Sequence, residues 1–157
     1  MLYFAYGSNI DVDSMTLRCP TAKRIGRARL DGYELFVARS GYLSIRGCES
    51  SVVLGVVWEI DEDAERALDD YEGVDEGLYI RRIMRLSEQD ADALVYVEAS
   101  GVNGTSSPPG YLESVAAAMK SESFPDDYVA SLFGSGRTET TSSRESSTSK
   151  ISSNPSS

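Results

Sequence analysis

Two kinds of apolar pattern run along this chain, and they alternate. Leu2-Tyr3-Phe4-Ala5-Tyr6 is an unbroken apolar and aromatic run of strand character. It passes straight into Gly7-Ser8-Asn9, three residues that end strands and make tight turns. Asp11 and Asp13 are N-cap candidates for a short helix over residues 13–18, stopped at Cys19-Pro20. Residues 23–29 and 33–39 read as two strands, and Asp31-Gly32 between them predicts a hairpin turn. Leu43-Ser44-Ile45-Arg46 predicts a brief irregular strand ended by Gly47. The stretch 52–60 is β-branched and continuous rather than alternating, so it is expected to be buried on both faces in the middle of the sheet.

The period changes at Asp61, an N-cap candidate, because Ala64, Ala67, Leu68 and Tyr71 recur at i, i+3, i+4 and i+7. That spacing predicts an amphipathic helix closed by Gly73 in the C′ position. Strand patterns return at 78–86 and 92–99, joined by the polar turn at 87–90. A helix follows Pro108-Pro109, with Tyr111, Val115, Ala118 and Met119 on one stripe, and a second short one follows Pro125. Residues 135–157 are dominated by Ser and Thr and carry almost nothing apolar besides Ile151. Such a segment buries too little surface to offset the entropy of ordering it, so the reading is one α+β domain over 1–134 and a disordered tail over 135–157.

Composition narrows the chemistry more than it fixes the fold. A chain of 157 residues can bury a core without disulfides or metals. Its net charge is −10, and the tail carries +1, so the folded body holds −11. No basic surface for nucleic acid is expected. There is no histidine, which excludes His as base, nucleophile partner or metal ligand, and Cys19 and Cys48 stand too far apart to suggest a zinc site. Each cysteine reads as a small buried hydrophobe. The longest apolar run, 52–58, is interrupted by Gly55 and too short to cross a membrane, and the N-terminus does not resemble a signal peptide, so a soluble, cytoplasmic protein is expected. Asn103-Gly104-Thr105 matches a glycosylation acceptor and reads as an ordinary loop.

The remaining catalytic repertoire is carboxylates, tyrosines, hydroxyls and backbone donors. Most carboxylates lie on solvated helix or loop faces, but Glu72 falls between Tyr71 and Gly73-Val74, where the helix turns back toward the sheet. Partial desolvation there would raise its pKa toward the range of a general base. The alternative is an exposed residue at a helix end. The Gly7-Ser8-Asn9 loop could in the same way cradle a carboxylate or oxyanion, or be a turn and nothing more.

Several pieces taken in order resemble one family. Tyr3-Phe4-Ala5-Tyr6-Gly7-Ser8-Asn9, Gly55-Val56-Val57-Trp58, Tyr71-Glu72-Gly73-Val74 with Gly77-Leu78-Tyr79, Ala93-Leu94-Val95-Tyr96 and Pro108-Pro109-Gly110-Tyr111 resemble the γ-glutamylcyclotransferase family from Leu2 to about Phe133. The loop reads Tyr-Gly-Ser-Asn, as in the branch that gives the family its name, rather than the Tyr-Gly-Thr-Leu of γ-glutamylamine cyclotransferases or the Tyr-Gly-Ser-Leu of the glutathione-specific branch.

The resemblance implies a small mixed β-barrel-like sheet flanked by helices, with the active cavity at the mouth of the barrel. It implies that Tyr3, Phe4, Ala5, Tyr6, Gly7 and Ser8 bind the γ-glutamyl part of a small-molecule substrate, that Glu72 is the acid/base, and that Tyr96 lines the pocket. No cofactor or metal is expected, since the substrate's own α-amine would attack its γ-carbonyl to give 5-oxoproline. The leaving group, an amino acid, an amine or a γ-glutamyl-protected intermediate, stays open, as does the choice between monomer and homodimer. A retired scaffold binding a small anion or a partner protein is the competing reading, and retention of both the loop and Glu72 speaks against it.

Overall fold

The computed structural model describes residues 1–134 of the chain, so the expectation for the tail lies outside the described residues. Five strands form one mixed sheet in the order β2-β3-β1-β5-β4. The opening run becomes β1 (Leu2–Ala5), and it takes the central place. It pairs antiparallel with β3 (Leu43–Glu59), Leu2 opposite Glu59 and Ala5 opposite Val56, and parallel with β5 (Ala91–Glu98). A strand with neighbours on both edges and layers on both faces needs apolar side chains at successive positions, and Tyr3, Phe4 and Ala5 are all buried.

The stretch 52–60 therefore stands one place off the middle. It is the second half of β3, flanked by β1 and by β2 (Lys23–Val37), and Val53 and Val56 to Trp58 are buried while Val52 and Leu54 are only half-buried. The two short strands and the hairpin turn predicted before it are corrected together. Residues 23–37 are one strand and 43–59 another, paired antiparallel as a single long hairpin. Its turn lies at 38–42, where Ala38 N–H donates to Tyr42 O at 2.8 Å and Gly41 N–H to Ala38 O at 2.8 Å. Asp31-Gly32 instead marks an irregularity inside β2: the register shifts between Asp31 and Tyr33, and Gly32 has φ 83°. A positive φ serves a bulge as well as a turn, so the same dipeptide fits both.

Gly55 is required by a close approach. A Cβ there would lie 2.3 Å from the Ala5 carbonyl oxygen and 2.8 Å from the Phe4 ring. The sheet curls until its edge strands, β2 and β4 (Tyr79–Leu86), come near one another, but no ladder joins them, so it is barrel-like without closing.

Among the described residues, four helices and one short 3₁₀ turn cover this sheet. α1 (Val12–Arg18) is capped by Asp11, whose Oδ2 accepts from Ser14 N–H at 2.9 Å. Buried Met15 anchors it to the core. α2 (Glu62–Glu72) is capped by Asp61 as expected, with Ala64 and Leu68 buried beneath it. Tyr71 departs from the predicted apolar stripe and is 46% exposed. α3 (Tyr111–Ser121) and α4 (Asp126–Gly134) bury Val115, Met119 and Val129 in the same core. Cys19 is buried as expected, whereas Cys48 is only half-buried, in the irregular part of β3; both are free thiols. Among the described residues no helix is long and apolar enough to cross a membrane, and no group of His, Cys, Asp or Glu is placed to hold a metal ion.

Candidate active site

β1 and α2 deliver their ends to one cavity of about 260 Å³. From β1 and the loop after it come Tyr3, Phe4, Tyr6, Gly7, Ser8 and Asn9, from the end of α2 come Tyr71 and Glu72, and β5 contributes Tyr96. The rest of the lining is the hairpin turn with Ser40, Tyr42 and Leu43, then Leu78, Tyr79 and Tyr111. Seven of the chain's nine tyrosines line this space, and among the described residues Glu72 is the sole carboxylate there, with no Lys or Arg. Of the residues expected from the sequence, Ala5 alone is not brought to the cavity. It is buried, with its carbonyl oxygen close against Gly55.

Glu72 is placed by the way its helix stops. Gly73 takes a left-handed conformation (φ 66°, ψ 40°), and the N–H groups of Gly73 and Val74 return to Asp70 O and Asp69 O, closing the last turn. The chain then folds back with Leu78 packed on Gly73, where a Cβ would sit 2.8 Å from Leu78 Cδ1. The preceding carboxyl is turned inward, and burial pushes it from its ordinary 4.5 up to about 7, opposed by the positive charge of Arg18. Its position at the carboxyl end of a helix, where the macrodipole disfavours an anion, acts in the same direction as burial.

The loop opposite is held from behind. Tyr6 donates its hydroxyl to Tyr96 O at 2.6 Å, fixing β1 to β5 beyond the last ladder pair. Asn9 is buried and makes contacts in several directions: its Nδ2 donates to the Tyr3 hydroxyl at 2.9 Å, its Oδ1 accepts from Arg18, and its carbonyl accepts from Trp58 Nε1 at 3.2 Å. Gly7 has φ −127°, so freedom in the left-handed region is not what a glycine supplies there. A Cβ on it would lie 3.5 Å from the Tyr111 hydroxyl and take up room on the cavity wall. The 3₁₀ turn at Ser8–Ile10, whose residues Ser8 and Asn9 line the cavity, has no side-chain cap on its first N–H groups.

Tyr96 is held by a second set of contacts. Its hydroxyl donates to Asp69 Oδ1 at 2.7 Å, and Asp69 also accepts from Arg81 Nη1 at 2.6 Å. With its proton committed to Asp69, the phenol oxygen can only accept on its remaining side. Burial raises the pKa of Tyr3, Tyr6, Tyr79, Tyr96 and Tyr111, so these phenols stay neutral at physiological pH. Tyr79, Tyr111 and Tyr71 were not singled out as site residues by the sequence, because aromatics at strand and helix spacing read equally as core. Tyr42 carried one signal, a large aromatic next to Gly41.

Comparison with known proteins places the chain among relatives of one kind. The family described as "Gamma-glutamyl cyclotransferase, AIG2-like" matches residues 3–113, a span that holds the loop, Glu72 and Tyr96. The chain is 29% identical over 143 residues to the gamma-glutamylcyclotransferase of Homo sapiens, covering 83% of this chain and 76% of the human protein. A solved structure of a gamma-glutamyl cyclotransferase superposes with a TM-score of 0.70 at 28% identity, over 83% of this chain and 84% of the other. YkqA from Bacillus subtilis, 18% identical with a TM-score of 0.69 over 83% of this chain and 51% of that one, shares the fold. The match over most of the folded body means that the chain belongs to the gamma-glutamyl cyclotransferase, AIG2-like family.

Proposed function

We propose that the protein converts a γ-glutamyl amino acid or γ-glutamyl amine to 5-oxoproline and releases the amino acid or amine. The observation that carries this reading is Glu72, a carboxyl with its pKa raised to about 7, in a tyrosine-lined cavity whose other wall is the Tyr6–Ser8 loop. A group poised near neutral pH can both take and give a proton during one turnover.

The substrate's α-ammonium loses a proton to the Glu72 carboxylate, and the freed amine attacks the γ-carbonyl carbon of the same molecule. A carbon–nitrogen bond forms, closing a five-membered ring, and the carbonyl oxygen takes the negative charge. The uncapped start of the 3₁₀ turn, around Gly7 and Ser8, supplies backbone donors suited to that oxygen or the α-carboxylate. Collapse breaks the original amide bond. Over the cycle the ring nitrogen gives up two protons and the departing nitrogen gains two, so Glu72, passing one at a time, ends in the charge state in which it began. Attack within one molecule supplies a large entropic advantage, so neither a nucleophilic side chain nor a cofactor has to be invoked.

Tyr96, whose hydroxyl can only accept on its cavity side, is suited to hold an N–H of the α-amine. Tyr3 and Phe4 shape the floor, and their bulk folds the γ-glutamyl chain onto itself. The test is a panel of γ-glutamyl amino acids, γ-glutamyl amines and glutathione, with 5-oxoproline measured for the parent protein and for Glu72→Gln. Release by the parent and loss of ~10²-fold or more in kcat for the variant are expected; parental turnover in Glu72→Gln removes Glu72 from its role.

A further inference from the structure

Arg18, the last residue of α1, is not part of the cavity lining, yet it touches the elements that form two of its walls. Its guanidinium carbon stands 3.5 Å from the centroid of the Tyr71 ring, and its Nη1 donates to Asn9 Oδ1. Through Asn9 it reaches the Tyr3 hydroxyl and the Trp58 indole. Tyr71 is the residue before Glu72, and its hydroxyl lies 3.0 Å from the Ser8 hydroxyl. One planar cation thus ties the turn after β1 to the last turn of α2. A guanidinium can stack its face on a ring while its in-plane N–H groups bond sideways, which an ammonium cannot do.

We propose that Arg18 is a positioning residue of this site, a clamp that seats Glu72 opposite the Tyr6–Ser8 loop through Tyr71 and Asn9 and supplies the positive charge that acts on the Glu72 carboxyl. This rests on the reading of Glu72 as the acid/base. The groups facing Glu72 come from several elements: Tyr3 and Tyr6 from β1 and its end, Arg18 from α1, Tyr71 from α2, Tyr79 from β4 and Tyr111 from α3. Burial holds Tyr3, Tyr6, Tyr79 and Tyr111 neutral, which leaves Arg18 as the charge that acts on Glu72 among the described residues. The same residue therefore fixes where the carboxyl sits and offsets part of the cost of ionising it there.

The test compares Arg18→Met, Arg18→Lys and Tyr71→Leu with the parent. Two readouts are taken: steady-state 5-oxoproline release across pH, and the titration midpoint of the Glu72 carboxyl by carbon-13 NMR, its resonance assigned through Glu72→Gln. Arg18→Met is expected to lower kcat by ~10–100-fold and to raise the Glu72 midpoint, with the acid limb of kcat/KM, by roughly one pH unit. Arg18→Lys keeps the charge and should restore the midpoint but not kcat, while Tyr71→Leu should lower kcat and leave the midpoint in place. Parental kcat and midpoint in Arg18→Met overturn the proposal. So does a loss in Arg18→Met that follows the fraction of folded protein, with an unmoved midpoint and full recovery in Arg18→Lys. If Arg18→Met does not fold, parental kcat in both Arg18→Lys and Tyr71→Leu overturns it. Absence of 5-oxoproline from the parent protein rejects the reaction, whereas an unmoved midpoint rejects the clamp.

Discussion

Glu72→Gln should make this protein more stable while stopping its turnover, and the gain should depend on pH. In the folded chain the Glu72 carboxyl keeps its proton up to about pH 7, while its ordinary value is 4.5. Between those values the folded state binds more protons than the unfolded state, so the contribution of this group to stability falls as pH rises. Above about 7 the cost of burying the charge is fully present, and below 4.5 it is absent. A shift from 4.5 to about 7 corresponds to a ceiling of about 3 kcal/mol. The carboxyl faces an open cavity, and residual solvation lowers the expectation to roughly 1–3 kcal/mol.

Glutamine has the shape of glutamate without the charge, so the variant should match the parent near pH 4.5–5 and exceed it by that amount at pH 8. For a chain of this size that is a rise of several degrees in Tm, about 2–4 °C per kcal/mol. Urea unfolding of both proteins at half-unit steps from pH 5 to 8.5 isolates the term, since every other titrating group is common to both and cancels in the difference. A gap that stays constant with pH, or a variant less stable than the parent at pH 8, refutes the reasoning.

Two further outcomes follow from the same geometry. If Glu72 acts first as a base, kcat/KM should rise tenfold per pH unit on the acid side and level off near pH 7, the value of its carboxyl; a profile flat from pH 5 to 8 contradicts this assignment. Gly55→Ala places a methyl 2.3 Å from the Ala5 carbonyl oxygen, backbone against backbone in the centre of the sheet, and should lose about 3 kcal/mol or more by urea unfolding; a loss under about 0.5 kcal/mol contradicts the close approach.

Elements whose boundaries depend on neighbouring residues were legible. The α2 helix, with Asp61 at one end and Gly73 at the other, follows from capping chemistry within a single turn at each end. The β4–β5 pair follows from a short polar turn between two strand patterns, and Leu86 pairs with Ala91 across it. The long β2–β3 hairpin was not legible, because Asp-Gly allows a turn and a bulge alike. Which of them forms is set by the partner strand, where Asp31 pairs with Val52 and Tyr33 with Gly47. The central place of β1 was equally hidden, since a four-residue run carries no mark of the two strands that will flank it.

The sequence by itself determined the inventory: a chain without histidine, with a strand that ends in Tyr6-Gly7-Ser8 and a carboxylate that precedes the glycine at a helix end. It also determined that Glu72 is the last residue of α2, since Gly73 stops the helix locally. Only the tertiary structure decided that this helix end faces that loop, that Ala5 is not among the residues lining the cavity, and that Arg18 joins Asn9 of the loop to Tyr71 of the helix end. The reason is physical. Capping and strand patterns act over a few residues, whereas the raised pKa of Glu72 comes from desolvation by side chains distant in the chain, and these meet only when the sheet curls and the helices close over it.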